Sequence, residues 1–385
     1  MDFELTREQE ELRRRARELA DSVFAARAAR WDESEEYPWD NVKDLVAAGF
    51  MGMTIPADRG GPDRPLLDVV LVVEEIARAC GVTARIVVEG SLGTVGALRA
   101  YGTEAQQRRW FPWVLEGEKP AIAISEVNAG SAATDLETRA EPTERGWRLT
   151  GHKRWITGAG TSRLYLVYAR FDGRPGDEGI GGVFVERDTP GFRIGHRELM
   201  MGLCGIPEGE LHFEGCEVPR EHLLVGPGDG FKKLMRAYNG QRLGAATVAL
   251  GLAQGAYERA LAYAVERRQF GRPIAEFQGI RWKVADMALK LDAARLLIHR
   301  AAARAVRGFP DALEAAKAKT FAAEMAQDVT SQALQIHGAA GYGRSLPLER
   351  MARDARMFTI GGGTVEMMRN LMADRLLPTR VDWRR

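Results

Sequence analysis

The periodicity of this 385-residue chain changes twice, and those changes limit what it can fold into. Up to about Pro120 the apolar residues recur at helical spacing, as Leu12, Ala16, Leu19, Ala20 and Val23 do. Thr6 with Gln9, and Thr103 with Gln106, are capping-box pairs that open helices, the second running toward Leu115. The apolar run from Leu66 to Cys80 carries Asp68, Glu74, Glu75 and Arg78. It is too short and too charged to span a bilayer, which needs about 20 apolar residues. Beyond Pro120 the chain turns to short β-prone runs at 121–124, 164–168, 182–185 and 210–213, separated by Gly, Pro, Asp and Arg turns. From Asp229 it is alanine-rich and helical again, in segments of about three to eight turns. Breaks fall at Gly271-Arg272-Pro273, at Gly308-Phe309-Pro310 and from Gly338 to Pro347, so a bundle of four long helices is expected. The fold class expected is α+β. An N-terminal α-helical domain would occupy 1–119, a central β-barrel or sandwich 120–228, and a C-terminal four-helix bundle 229–385.

Composition removes several function classes. Fifty-four basic side chains against 53 acidic ones give a formal net charge of +1, which offers nothing to nucleic acid or a membrane surface. Arg13, Arg14, Arg15 and Arg17 are interleaved with Glu8, Glu10, Glu11 and Glu18 and read as a solvated helix face. Cys80, Cys204 and Cys216 are widely spaced, and the first residues, Met1 to Thr6, have no basic-then-apolar pattern of a leader. Reduced thiols in a cytoplasmic protein are expected. The six histidines form no HExxH pattern, so no metal site is expected. The chain also lacks the glycine fingerprints of nicotinamide Rossmann domains and P-loops and the GxSxG of serine hydrolases.

Several spaced motifs, covering the chain from about Phe3 to Leu377, carry a resemblance to acyl-CoA dehydrogenases. The segment 357–364 reads Met-Phe-Thr-Ile-Gly-Gly-Gly-Thr, after Arg350-Met-Ala-Arg353-Asp354-Ala-Arg356 and Gln335-Ile-His-Gly338-Ala-Ala-Gly341. Upstream stand Ile124-Ser125-Glu126-Val-Asn128-Ala-Gly130-Ser131 and Trp155-Ile156-Thr157. The resemblance implies FAD, with Ile124, Ser125, Ser131, Trp155, Ile156 and Thr157 along the flavin ring. It also implies that Arg267 and Phe270 reach the flavin of a neighbouring subunit, that Gln278, Gln335, Gly338 and Thr364 complete the dinucleotide contacts, and that Glu366 lies near the flavin. Glu366 stands where an amide is usual. Sites divided between chains imply a homo-oligomer, a dimer of dimers in the usual family form. Arginine suits a pyrophosphate because its planar fork donates to two oxygens at once.

The chain departs from that family where the chemistry is done. Gly362 stands where many members have the glutamate that removes the α-proton of the acyl thioester. Relatives that carry the base elsewhere place it on the first bundle helix, where this chain has Gln241. An amide has no useful basicity, so loss of a general base, worth about 10²–10⁴ in rate, is expected to impair dehydrogenation. Ala132-Ala133 follow Ser131 where relatives have aspartate. Arg85 falls in the region that lines the far end of the acyl pocket, and pointing into it, it would demand an anionic acyl tail as partner. Together with Tyr37-Pro38-Trp39-Asp40-Asn41 and Gly49-Phe-Met-Gly-Met53, this set resembles a desulfinating branch of the family. That branch releases sulfite from a sulfinylated acyl-CoA and leaves propionyl-CoA. Arg85 would hold the sulfinate and Gln241 would orient it or a water. The Gly362 N–H would bind the thioester oxygen, and Asn239 and Arg242 would meet the pantetheine arm, with Ser131 at the substrate. The readings left open are a dehydrogenase or enoyl-CoA reductase acting on a carboxylated acyl-CoA, and a non-catalytic flavin and acyl-CoA binding protein.

Overall fold

A computed structural model describes residues 4–171 and 173–378. Seven helices come first: α1 (Arg7–Leu19), α2 (Ala25–Ser34), α3 (Trp39–Ala48), α4 (Leu66–Ala77), α5 (Gly81–Ser91), α6 (Thr94–Tyr101) and α7 (Glu104–Leu115). The two capping boxes form as expected, Thr6 and Thr103 each accepting from the backbone N–H of the glutamine three residues on. The charges of α4 are buried but paired outward. Arg17 Nε donates to Glu75 at 2.7 Å, Arg295 Nε to Glu74 at 2.9 Å, and Arg78 to Glu258 and Asp21. An apolar helix with acid on it is thus one that other elements surround, and no helix among the described residues is long and apolar enough to cross a membrane.

The middle stretch is one mixed sheet. Its strands are β1 (Ala121–Ala123), β2 (Arg139–Pro142), β3 (Gly146–Thr157), β4 (Leu164–Phe171), β5 (Ile180–Glu186), β6 (Phe192–Glu198), β7 (Glu208–Pro219) and β8 (Leu223–Val225). The order is β6-β7-β3-β2-β4-β5-β8, with β1 parallel on β4. The two 12-residue strands β3 and β7 pair antiparallel with Thr157 opposite Glu208, and the register shifts between Lys153 and Ile156. That bulge carries Trp155, whose φ of +60° is unusual for a bulky residue.

The C-terminal part is helical: α8 (Gly230–Glu266), a short hairpin of β9 (Arg268–Gln269) and β10 (Arg272–Pro273), α9 (Gln278–Ala303) and α10 (Ala312–His337), then α11 (Ala339–Tyr342), α12 (Leu348–Arg356) and α13 (Val365–Leu376). Two details differ from the expectation. At 37 residues α8 is about ten turns long, beyond the eight expected. Three helices are long, and the shorter α12 and α13 pack on α10 in place of a fourth. The extra length of α8 is held by α4, α5 and α9, whose side chains share one buried core with it.

Candidate active site

Arg85 lies one turn into α5, inside the protein, with its side chain 14% exposed. Nε donates to Glu89 Oε1 at 2.9 Å, one helical turn further on. Nη2 donates to Thr157 Oγ1 at 2.8 Å and lies 3.5 Å from Glu208 Oε1. Among the described residues Nη1 meets only the Met357 thioether at 3.7 Å, a weak acceptor. Lys119, just before β1, donates to the other Glu89 oxygen, and Thr157 Oγ1 donates to Glu208 Oε1 at 2.6 Å. One expectation is corrected here. Arg85 is buried, but its charge does not wait for an external anion, because Glu89 and Glu208 already face it. The two carboxylates differ. Burial would raise Glu89, but Lys119 and Arg85 outweigh it and hold that carboxyl below the usual range. Burial dominates at Glu208 and pushes its carboxyl up despite Arg85 and the Thr157 hydroxyl.

The glycine loop lies beside this cluster, joined to it through Met357. Gly362 has φ +76°, and a Cβ built there would meet nothing within 4 Å, so the position opens onto free space. Two cations hold the loop from behind: Arg242 Nε donates to the Gly362 carbonyl at 3.1 Å and Lys319 Nζ to the Gly363 carbonyl. The Gly362 N–H donates to no acceptor among the described residues, which leaves it available to a ligand carbonyl. Burial, with Arg242 adding to it, pushes Lys319 down to about 8.

Gln241 lies on α8 under Gly93, where a Cβ would come within 2.7 Å of its Oε1. That oxygen is buried and has no hydrogen-bond partner among the described residues. A buried acceptor left bare is costly, so Gln241 suits a donor from a ligand or a water. Asn239 and Arg242 were expected along the pantetheine arm. Arg242 Nη1 donates to Asn239 Oδ1 at 2.9 Å, and Arg242 also holds the glycine loop through Nε.

The residues expected at a flavin fall into two groups. Ser125, Trp155, Ile156 and Thr157 stand together because Arg154 N donates to the Ser125 carbonyl across the bulge. Trp155 is 47% exposed with the Arg154 guanidinium over its ring, whereas Ile156 points into the sheet core and can offer only its backbone. Ile124 accepts from buried Lys153 through its carbonyl, and Ser131 is exposed on the same loop. Thr364 caps α13, its hydroxyl accepting from Met367 N at 3.2 Å, and Glu366 is exposed beside it. The second group, Arg267, Phe270, Gln278, Gln335 and Gly338, is exposed at the end where α8 stops, α9 starts and α10 stops. Sixteen residues of α10 separate Lys319 from Gln335, about 24 Å at helical rise. The second group therefore lies at the far end of α10 from the glycine loop. An exposed indole at a bulge and a Phe270 ring 93% exposed each leave an aromatic surface open, which fits a planar aromatic cofactor.

Sequence reasoning missed Glu89, Lys119, Glu208 and Lys319. Glu89 had a signal, since it is four residues beyond Arg85 on one helix. Glu208 had none, because only the cross-strand register places it opposite Thr157. The fold also brings His152, Glu210 and His212 together, each imidazole Nε2 within 3.6 Å of Glu210 Oε2. The two rings are stacked nearly parallel, 9° apart, so their in-plane lone pairs converge on no common point and we assign no ion there.

Three profiles of one family match the chain: acyl-CoA dehydrogenase N-terminal domain over residues 6–118, middle domain over 121–216 and C-terminal domain over 228–377. The 3-sulfinopropanoyl-CoA desulfinase of Cupriavidus necator is 50% identical over 98% of this chain and 97% of its own length. That of Variovorax paradoxus is 51% identical over 97% and 96%. Among solved structures, a glutaryl-coenzyme A dehydrogenase in complex with glutaryl-CoA superposes with a TM-score of 0.93 at 31% identity, covering 98% of this chain and 97% of the other.

Proposed function

We propose that this chain, which belongs to the acyl-CoA dehydrogenase family, is an FAD-containing desulfinase that converts 3-sulfinopropanoyl-CoA and water to propionyl-CoA and sulfite. The observation that carries this reading is Arg85, a buried guanidinium whose Nη1 edge meets only a thioether, beside a Gly362 that opens onto free space. Relatives at about 50% identity bear the name of that activity.

The reaction balances without an electron acceptor. The C–S bond breaks, the methylene carbon gains a proton, and sulfur gains the hydroxyl of water. Arg85 holds the sulfinate by charge-assisted bonds from its Nη1 edge. The free Gly362 N–H donates to the thioester oxygen in an oxyanion-type contact, while Arg242 and Lys319 hold the Gly362 and Gly363 carbonyls. Gln241 Oε1, bare in the structure, orients the attacking water. With no carboxylate at Gly362, the α-proton is left in place. The bound flavin supplies a planar, electron-poor surface against which the acyl chain is held. A homo-oligomer completes its site, one chain giving Ser125, Trp155 and Thr157 and another giving Arg267, Phe270, Gln278, Gln335 and Gly338.

Purified holoenzyme is expected to release sulfite from 3-sulfinopropanoyl-CoA with no acceptor present. Dye reduction with butyryl-CoA in the absence of any sulfite release would overturn the reading. A second reading has one observation in its favour. Arg85 suits a carboxylate as well as a sulfinate, and the glutaryl-CoA dehydrogenase that this chain resembles binds an acyl chain ending in one. Flavin bleaching on mixing with succinyl-CoA would favour that redox enzyme.

A further inference from the structure

The charges around Arg85 cancel before any ligand arrives. Arg85 and Lys119 are two cations, Glu89 and Glu208 two anions, all within one buried cluster. An acyl chain ending in a sulfinate or carboxylate adds a third anion to a space that has counter-ions for two. An uncompensated buried charge is costly, and the usual escape is that a neighbouring group changes protonation.

Beside the cluster, Glu118 is tied by the Arg163 and Leu164 N–H groups and buried Tyr37 keeps its proton, and the groups that face Arg85 itself leave one candidate. Glu89 on α5 is fixed as an anion by donors from both Arg85 and Lys119. Tyr238 on α8 is buried and keeps its hydroxyl proton, so it has none to take up. On β6, Glu198 stands opposite Glu208 in the sheet, but Arg154 of β3 donates to it through both Nε and Nη2, at 2.9 and 2.7 Å. Glu208 on β7 is held loosely by comparison. Its Oε1 takes the Thr157 hydroxyl and sits 3.5 Å from Arg85 Nη2, while Oε2 meets no donor among the described residues. Resting on the reading that the acyl chain ends in an anion, we propose that Glu208 is the proton-linked counter-ion of Arg85: the anionic end takes over the guanidinium charge, and Glu208, still bonded to Thr157, takes up one proton as the ligand enters. Burial already pushes its carboxyl up, and a third anion pushes it further in the same direction.

Glu208 is thus a positioning residue that acts through Arg85. In the free protein it neutralises the guanidinium; in the complex it is a neutral carboxylic acid whose Oε1 still accepts from Thr157. A neutral acyl chain brings no charge to exchange and no proton with it. The expected signature is an affinity for anionic acyl chains that falls up to tenfold per pH unit, over the window above the free Glu208 value and below the bound one.

Succinyl-CoA and butyryl-CoA differ at the chain end by a carboxylate in place of a methyl. Calorimetric titration of flavin-loaded protein with each, from about pH 6 to about pH 9 in buffers of different ionisation enthalpy, counts the protons exchanged. Uptake of about one proton with succinyl-CoA and none with butyryl-CoA is expected, and Glu208→Gln should abolish both the uptake and the pH dependence. Tight succinyl-CoA binding with no proton uptake would overturn this inference and leave the desulfinase reading standing. Succinyl-CoA binding no tighter than butyryl-CoA would remove the anionic-tail reading and this inference with it. The wild-type titration decides the matter even if Glu208→Gln does not fold.

Discussion

Replacing Arg85 by lysine keeps the charge and loses the planar fork that reaches Glu89, Thr157 and Met357 from separate nitrogens. A hydrogen bond to a charged group contributes about 1.5–3 kcal/mol, so Arg85→Lys should lower kcat/KM for sulfite release about 10- to 100-fold. Unchanged turnover would take Arg85 out of the site. Gly362 makes the opposite kind of test, since a side chain there has room but an unfavourable backbone. Gly362→Glu should cost about 1–2 kcal/mol of stability from the left-handed φ and should bring a carboxylate toward the thioester. Dye reduction with butyryl-CoA, absent or weak in the wild type, should then rise. If a folded, flavin-loaded Gly362→Glu protein reduces no dye, the free space at Gly362 does not face the thioester.

At the scale of elements, the glycine loop depends on α10 and α8 for its shape, through Lys319 and Arg242. Lys319 titrates at about 8 in the fold against an ordinary 10.5. The folded chain therefore binds fewer protons at this residue than the unfolded chain between those values. Stability from Lys319 rises with pH across that window, and below it the buried ammonium is a full cost. Lys319→Met removes the titration. The stability difference, wild type minus variant, should grow between pH 8 and 10.5, by up to about 1.4 kcal/mol per pH unit. A flat difference in denaturant unfolding would mean that Lys319 is not buried as a cation. Elements of this kind were unevenly legible in the sequence. Capping boxes at Thr6 and Thr103 are local chemistry, so the starts of α1 and α7 could be read to the residue. The full run of α8 could not. Gly251 and Gly255 look like weak points in a helix, but a Cβ at either would overlap the carbonyl oxygens of Glu74 or Arg78 on and beside α4. They mark where two helices touch, and that tertiary contact overrides propensity. In the site, Arg85, Gln241 and Gly362 were legible from their motifs. Glu208 was not, because its place depends on which residue of β3 a distant strand meets.

Across the whole molecule, α9 presents Trp282, Leu289 and Leu296 to solvent at 63%, 69% and 54% exposure. Their seven-residue spacing puts all three on one face. A stripe of large apolar side chains of this length on a folded chain marks a surface that another surface covers. The second group of expected flavin contacts lies at the end of the bundle where α9 begins, with Phe270 almost wholly exposed. A second copy of this chain laid along α9 would satisfy both features, covering the stripe and bringing those residues to another chain's Trp155. Leu289→Asp places a charge in the middle of that stripe, far from Arg85 and the glycine loop in sequence. It should lower the mass seen by light scattering and, in the same preparation, lower the flavin absorbance per chain, with the far-ultraviolet dichroism unchanged. A smaller species that keeps its full flavin would show that the cofactor is held within one chain, and an unchanged mass would show that α9 is not the covered face.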